Sequence, residues 1–143
     1  MAQRPFLKTI IVASLAYFVV GRVPFLHGIL GWIVLIGAPF LLVRWNTEMA
    51  SMTSPLGYSI GMGALVGAIA NEAGTVLAIF FDLLVFGIGA SSNGLAGGTV
   101  AFGAGVGLTF ELVHLLYGPF VGAVLGALGG LIAGSMRTKS SSS

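Results

Sequence analysis

The sequence has no cysteine at all, which removes disulfides, thiolate metal sites and lipidated cysteines from consideration. Charge is nearly as scarce. Only 7 % of the 143 residues are Asp, Glu, Lys or Arg, against about 25 % in a typical soluble domain, so the chain has too little polar surface to cover itself in water. The six basic residues are scattered rather than clustered, which excludes the one-sided basic face that nucleic-acid binding requires. No serine stands at a recognisable spacing from a histidine, and no glycine loop carries the lysine of a phosphate cradle. The expectation is therefore a non-enzyme without a cofactor or a bound metal. What is abundant is apolar: 57 % of residues are hydrophobic and mean hydropathy is +1.06. Lipid is the expected solvent, and the chain is long enough for one domain.

Polar and glycine-rich punctuation divides the chain into three apolar blocks, residues 6–43, 56–90 and 99–136. Each is longer than the roughly 20 residues that cross a hydrocarbon core, and each is interrupted near its middle. The interruptions are Gly21-Arg22-Val23-Pro24, then Asn71-Glu72-Ala73-Gly74, then Tyr117-Gly118-Pro119. Read as turns, with Gly74 ending one helix and Thr75 capping the next, they predict an all-α polytopic transmembrane bundle of six short spans arranged as three hairpins. The limits are 6–21, 28–43, 56–71, 75–90, 99–117 and 119–136, with a disordered serine-rich tail at 138–143. The alternative keeps blocks two and three as long kinked helices, giving four spans. Arg4 and Lys8 before an apolar run resemble a signal sequence, but no small-residue cleavage site follows, so a retained first span is expected.

Charge placement limits the count. Arg4 and Lys8 precede the first span, and Arg137 and Lys139 follow the last. The excess of Lys and Arg on the cytoplasmic side then requires an even number of spans, with both termini cytoplasmic. Arg44 falls on the same side, Arg22 on the other, and Glu48 is expected to be solvated at the cytoplasmic face. Tyr17, Trp32, Trp45, Tyr58 and Tyr117 fall near span ends, as interfacial aromatic belts do.

The sharpest pattern is Gly118, Gly122, Gly126, Gly130 and Gly134, a four-residue repeat through the last block. In lipid, apolar side chains gain little by burial against one another, and helix association depends on close backbone approach at small residues. The repeat resembles the glycine zipper of many membrane proteins, a resemblance that implies packing and no particular activity. Four residues advance 400° around a helix, so the stripe drifts by about 40° per step and suits a right-handed crossing. Gly57 with Gly61, Gly63 with Gly67, and Gly103 with Gly107 are shorter versions. These faces serve either to pack one monomer or to bind a second copy or another membrane subunit.

Ionisable residues within apolar spans are functional candidates because inserting them is costly. Asp82 lies within Phe80-Phe81-Asp82-Leu83-Leu84, and Glu111 and His114 stand three apart on one helix face. They are read either as polar glue that fixes helix register or as the lining of a proton or ion path. Glu72 joins this group only if block two is a single helix. A metal site from Asp82, Glu111 and His114, or haem ligation by His27 and His114, is the weaker reading. Three functions follow: a structural or accessory membrane subunit packed by its glycine faces, a small proton, ion or solute transporter or channel, and a holin-type permeabilising protein.

Overall fold

The structure is a computed structural model, which describes residues 3–23, 27–45, 55–92 and 94–140. The described residues form four helices: α1 Gln3–Gly21, α2 His27–Trp45, α3 Pro55–Ser91 and α4 Leu95–Ser140. Helices α3 and α4 are each long and apolar enough to cross a membrane, whereas the apolar stretches of α1 and α2, Phe6–Gly21 and Ile29–Trp45, are shorter. Glu48 and the side chain of His27 lie outside the described residues. Helix α4 continues through residue 140, into the segment expected to be disordered; residues 141–143 lie outside the description.

Six spans are thus corrected to four helices. The first block divides between Gly21 and His27, as expected, but the second and third do not divide. Asn71 and Gly74 stand mid-helix for reasons of packing. The Asn71 amide donates to the Gly118 carbonyl of α4. Gly74 is small because α1 passes over it: an added Cβ would lie 2.8 Å from Tyr17 Cδ1 and 3.1 Å from the Ser14 carbonyl oxygen. Thr75 does not cap a helix but returns its hydroxyl to the Asn71 carbonyl, at 2.9 Å. Pro119 and Pro39 both sit inside helices, where tertiary contacts tolerate the loss of one backbone donor. The chain passes between the long helices after Ser91 and before Leu95, and there Gly94 adopts φ 105°, a left-handed conformation that favours glycine.

Helices α3 and α4 form an antiparallel pair along their whole shared length. Ser59 lies against Gly130 and Gly134, Gly63 against Gly126 and Gly130, and Gly67 against Gly122 and Gly126; near the turn, Gly89 meets Gly97 and Ala101. A step of four on α3 is answered by a step of four backwards on α4, so the stripe never leaves its partner. Cβ atoms at Gly63, Gly67, Gly122, Gly126 or Gly130 would collide with the facing carbonyl oxygens. Gly129, which stands outside the repeat, faces α2 in the same way through Ile36. Two expected packing positions are open instead: a Cβ added at Gly103 or Gly61 would meet nothing within 4 Å beyond its own helix backbone.

The two short helices lie alongside the pair, α1 parallel to α3 and α2 parallel to α4. Ile10, Leu42 and Val66 form one core cluster, Ala13, Tyr17, Leu35 and Ala70 a second, and Val43 with Ala133 a third. The start of α1 and the end of α4 therefore share one end of the bundle, where the Arg137 guanidinium donates to the Arg44 carbonyl at 2.9 Å. Among the described residues only α3 and α4 continue well past Arg22, and that hairpin leaves Leu84, Phe86, Ile88, Phe102 and Val106 exposed.

Candidate functional site

Where α1 ends against the middle of α3 and α4, polar side chains gather in otherwise apolar surroundings. Arg22, one residue past α1, turns onto α3. Its Nη1 lies 2.5 Å from Asp82 Oδ1 and its Nη2 donates to the Ala78 carbonyl at 2.8 Å. The guanidinium also lies over two rings, 4.8 Å from the Phe81 centroid and 5.3 Å from that of Phe18. Asp82 is 4 % exposed, so the paired arginine supplies the compensation that a buried carboxylate requires. Its second oxygen, Oδ2, has no hydrogen-bond partner among the described residues and faces Gly107, where an added Cβ would lie 2.6 Å away. Gly107 is therefore a space-making residue for Asp82 rather than part of a glycine-to-glycine contact.

His114 of α4 is the centre of the second group. Its Nε2 lies 3.2 Å from Asn71 Oδ1 and 3.3 Å from the Tyr17 hydroxyl, and its Nδ1 lies 3.1 Å from the Tyr117 hydroxyl. The Asn71 amide nitrogen is engaged by the Gly118 carbonyl, which turns Oδ1, an acceptor only, toward the imidazole. In the neutral form of the ring this arrangement suits a proton on Nε2, with Nδ1 accepting from Tyr117. Gly118 is required beside this network, since an added Cβ would lie 2.7 Å from His114 Cδ2 and 2.8 Å from Asn71 Nδ2.

Glu111 connects the two groups. With Tyr17, Arg22, Thr75 and His114 it lines a cleft of about 20 Å³ between α1, α3 and α4, room for about one water molecule. Glu111 also lies within electrostatic reach of Arg22 and Asp82.

Of the three ionisable residues singled out in the sequence, Glu111 and His114 share the cleft, and Asp82 joins them through Arg22. The three do not form a ligand set: no group of three His, Cys, Asp or Glu suited to a metal occurs among the described residues. Arg22, Asn71, Tyr17 and Tyr117 were missed as site residues. Tyr17, expected in an interfacial belt, is buried in the core at 8 % exposure. One signal was available: Glu111, His114 and Tyr117 follow one another at steps of three on one helix face. Comparison with protein families, curated proteins and solved structures finds no match to this chain.

Proposed function

We propose that the chain is a multi-pass integral membrane protein of four spans, with both termini in the cytoplasm, that conducts protons through the cluster of Arg22, Asp82, Glu111 and His114. The observation that carries this reading is the single water-sized cleft shared by Glu111, His114, Arg22 and Tyr17. Ionisable groups that served only as local glue have no need to converge. In the proposed step, His114 Nδ1 takes a proton from bulk water on the exposed side of the ring while the Tyr117 hydroxyl rotates from donor to acceptor. The imidazolium then releases its Nε2 proton to the cleft water, which passes one on to the Glu111 carboxylate, one turn earlier on the same helix; the ring is left neutral with its proton on Nδ1, donated to Tyr117, while Nε2 accepts from the Tyr17 hydroxyl. Arg22, paired with Asp82, holds that side of the cleft in place. In liposomes under a potassium-diffusion potential, Glu111→Gln and His114→Phe should each lower proton flux at least tenfold. Undiminished flux in both variants, or no flux from the native chain, refutes the proposal.

A packing role is the second reading, favoured by the neutralisation of Asp82 by Arg22 and by the small volume of the cleft. Here the chain is a structural or accessory subunit. The stripe from Gly118 to Gly134 is engaged within the chain by α3, so a homo-oligomer or a complex with other subunits would use another surface. Under this reading Glu111→Gln leaves the cellular phenotype intact and Gly126→Leu abolishes it.

A further inference from the structure

The function proposed above makes no use of Glu72. It stands midway along α3, one position beyond Asn71, and is therefore turned about 100° away from α4. It lines a groove of about 660 Å³ between α1 and α3, together with Ile11, Leu15, Ile69, Val76 and Phe80. That volume lies within the range of small-molecule sites, roughly 300–1,000 Å³. The wall is apolar and its aliphatic and aromatic residues are exposed on the outer face of the bundle, so an occupant arrives from the hydrocarbon. Within this wall Glu72 Oε2 is buried and has no hydrogen-bond partner among the described residues. Ser14, the other polar side chain of the groove, donates to its own helix at the Ile10 carbonyl, 2.8 Å away, and supplies no proton to the carboxylate.

We propose that this groove is a binding site for a monovalent apolar organic cation of the quaternary ammonium or phosphonium class. Charge complementarity selects the occupant. A neutral acyl chain fills the volume but leaves the carboxylate unpaired, and an anionic lipid headgroup is repelled by it. An apolar cation with its charge shielded by hydrocarbon partitions into the groove and places a positive centre against Glu72. Phe80 at the same groove adds an aromatic surface of the kind that attracts such ions.

The test is equilibrium dialysis of the purified full chain, in maltoside micelles, against tetraphenylphosphonium. The native protein is expected to bind one cation per chain saturably. Glu72→Gln should weaken binding at least tenfold, and Val76→Trp, which fills the groove and keeps the carboxylate, should do the same. Glu72→Asp, which retains the charge, should stay within a few-fold of native. Glu111→Gln should bind as the native protein does, which separates this site from the central cleft. Monodisperse elution of each variant establishes that it is folded. Absence of saturable binding by the native chain, as expected if a basic helix of another subunit or only lipid fills the groove, overturns the proposal. Equal binding by Glu72→Gln, or a loss on Glu111→Gln as large as that on Glu72→Gln, overturns it too.

Discussion

A carboxylate with 4 % exposure and a guanidinium 2.5 Å away are each held in place by the other. Removing one partner of a buried pair strands the other and costs about 3–5 kcal/mol, whereas replacing both with apolar residues of similar size is often neutral. Arg22→Met, which strands the buried Asp82, should therefore lower unfolding stability in detergent by about that amount; Asp82→Leu should cost less, because the Arg22 side chain is 31 % exposed, and the double variant should recover most of the loss. A double variant as unstable as the sum of the singles would show that the two residues act independently. Asp82, Glu111 and His114 were legible in the sequence because an ionisable side chain within an apolar run stands out on insertion cost alone. Arg22 was not. A Gly-Arg-Val-Pro segment reads as an exposed loop, and only the parallel course of α1 and α3 carries that arginine onto Asp82. Asn71 was misread for a related reason: an asparagine beside a glycine carries the composition of a turn whether it makes one or hydrogen-bonds to a neighbouring helix.

Glycine within the helices has two different meanings here. At Gly126 an added methyl group would meet the Gly63 carbonyl oxygen of the facing backbone, which has no rotamer by which to yield. Gly126→Ala should force α3 and α4 apart and destabilise the fold by about 1–3 kcal/mol, the cost typical of overpacking. At Gly103 an added Cβ would meet nothing within 4 Å beyond its own helix backbone, so Gly103→Ala only removes the conformational cost of glycine in a helix and should stabilise by about 0.5–1 kcal/mol. Thermal unfolding of the two variants side by side measures the contrast; equal effects would contradict the packing of the pair. Spacing alone identified the long stripe, whose five members recur at one helical interval. It could not separate Gly103 from Gly107, because their difference lies in the position of the Asp82 side chain on another helix. Nor could it identify Gly129, which lies off the stripe and meets α2.

For the whole molecule, the distinction between six short spans and four helices is a matter of accessibility. Gly94, between α3 and α4, lies at the far end of the hairpin from Arg44 and Arg137, and residue 72 lies midway between the two ends. With the four-span arrangement, a cysteine introduced at position 94 should react with an impermeant maleimide from the side opposite both termini, and one at position 72 should not react from either side. Labelling at 72 would restore the three-hairpin arrangement. The absence of native cysteine makes the experiment clean. Composition made the helical, lipid-suited character plain, whereas the number of helices depended on whether Asn71-Glu72-Ala73-Gly74 and Tyr117-Gly118-Pro119 break a helix or pack one, which no local propensity decides.

The unequal helix lengths have a mechanical consequence. With 19 residues in each of α1 and α2 but 37 in α3 and 46 in α4, the molecule is four helices wide at its basic end and two wide at the turn. At 1.5 Å per residue α1 and α2 are about 28 Å long and α3 is about 55 Å, against a hydrocarbon core of about 30 Å, so in the four-span arrangement the two-helix end stands clear of the core as an apolar stalk. Cysteines introduced along residues 84–90 measure its height, since each one above the bilayer surface reacts with the impermeant maleimide and each one below it does not.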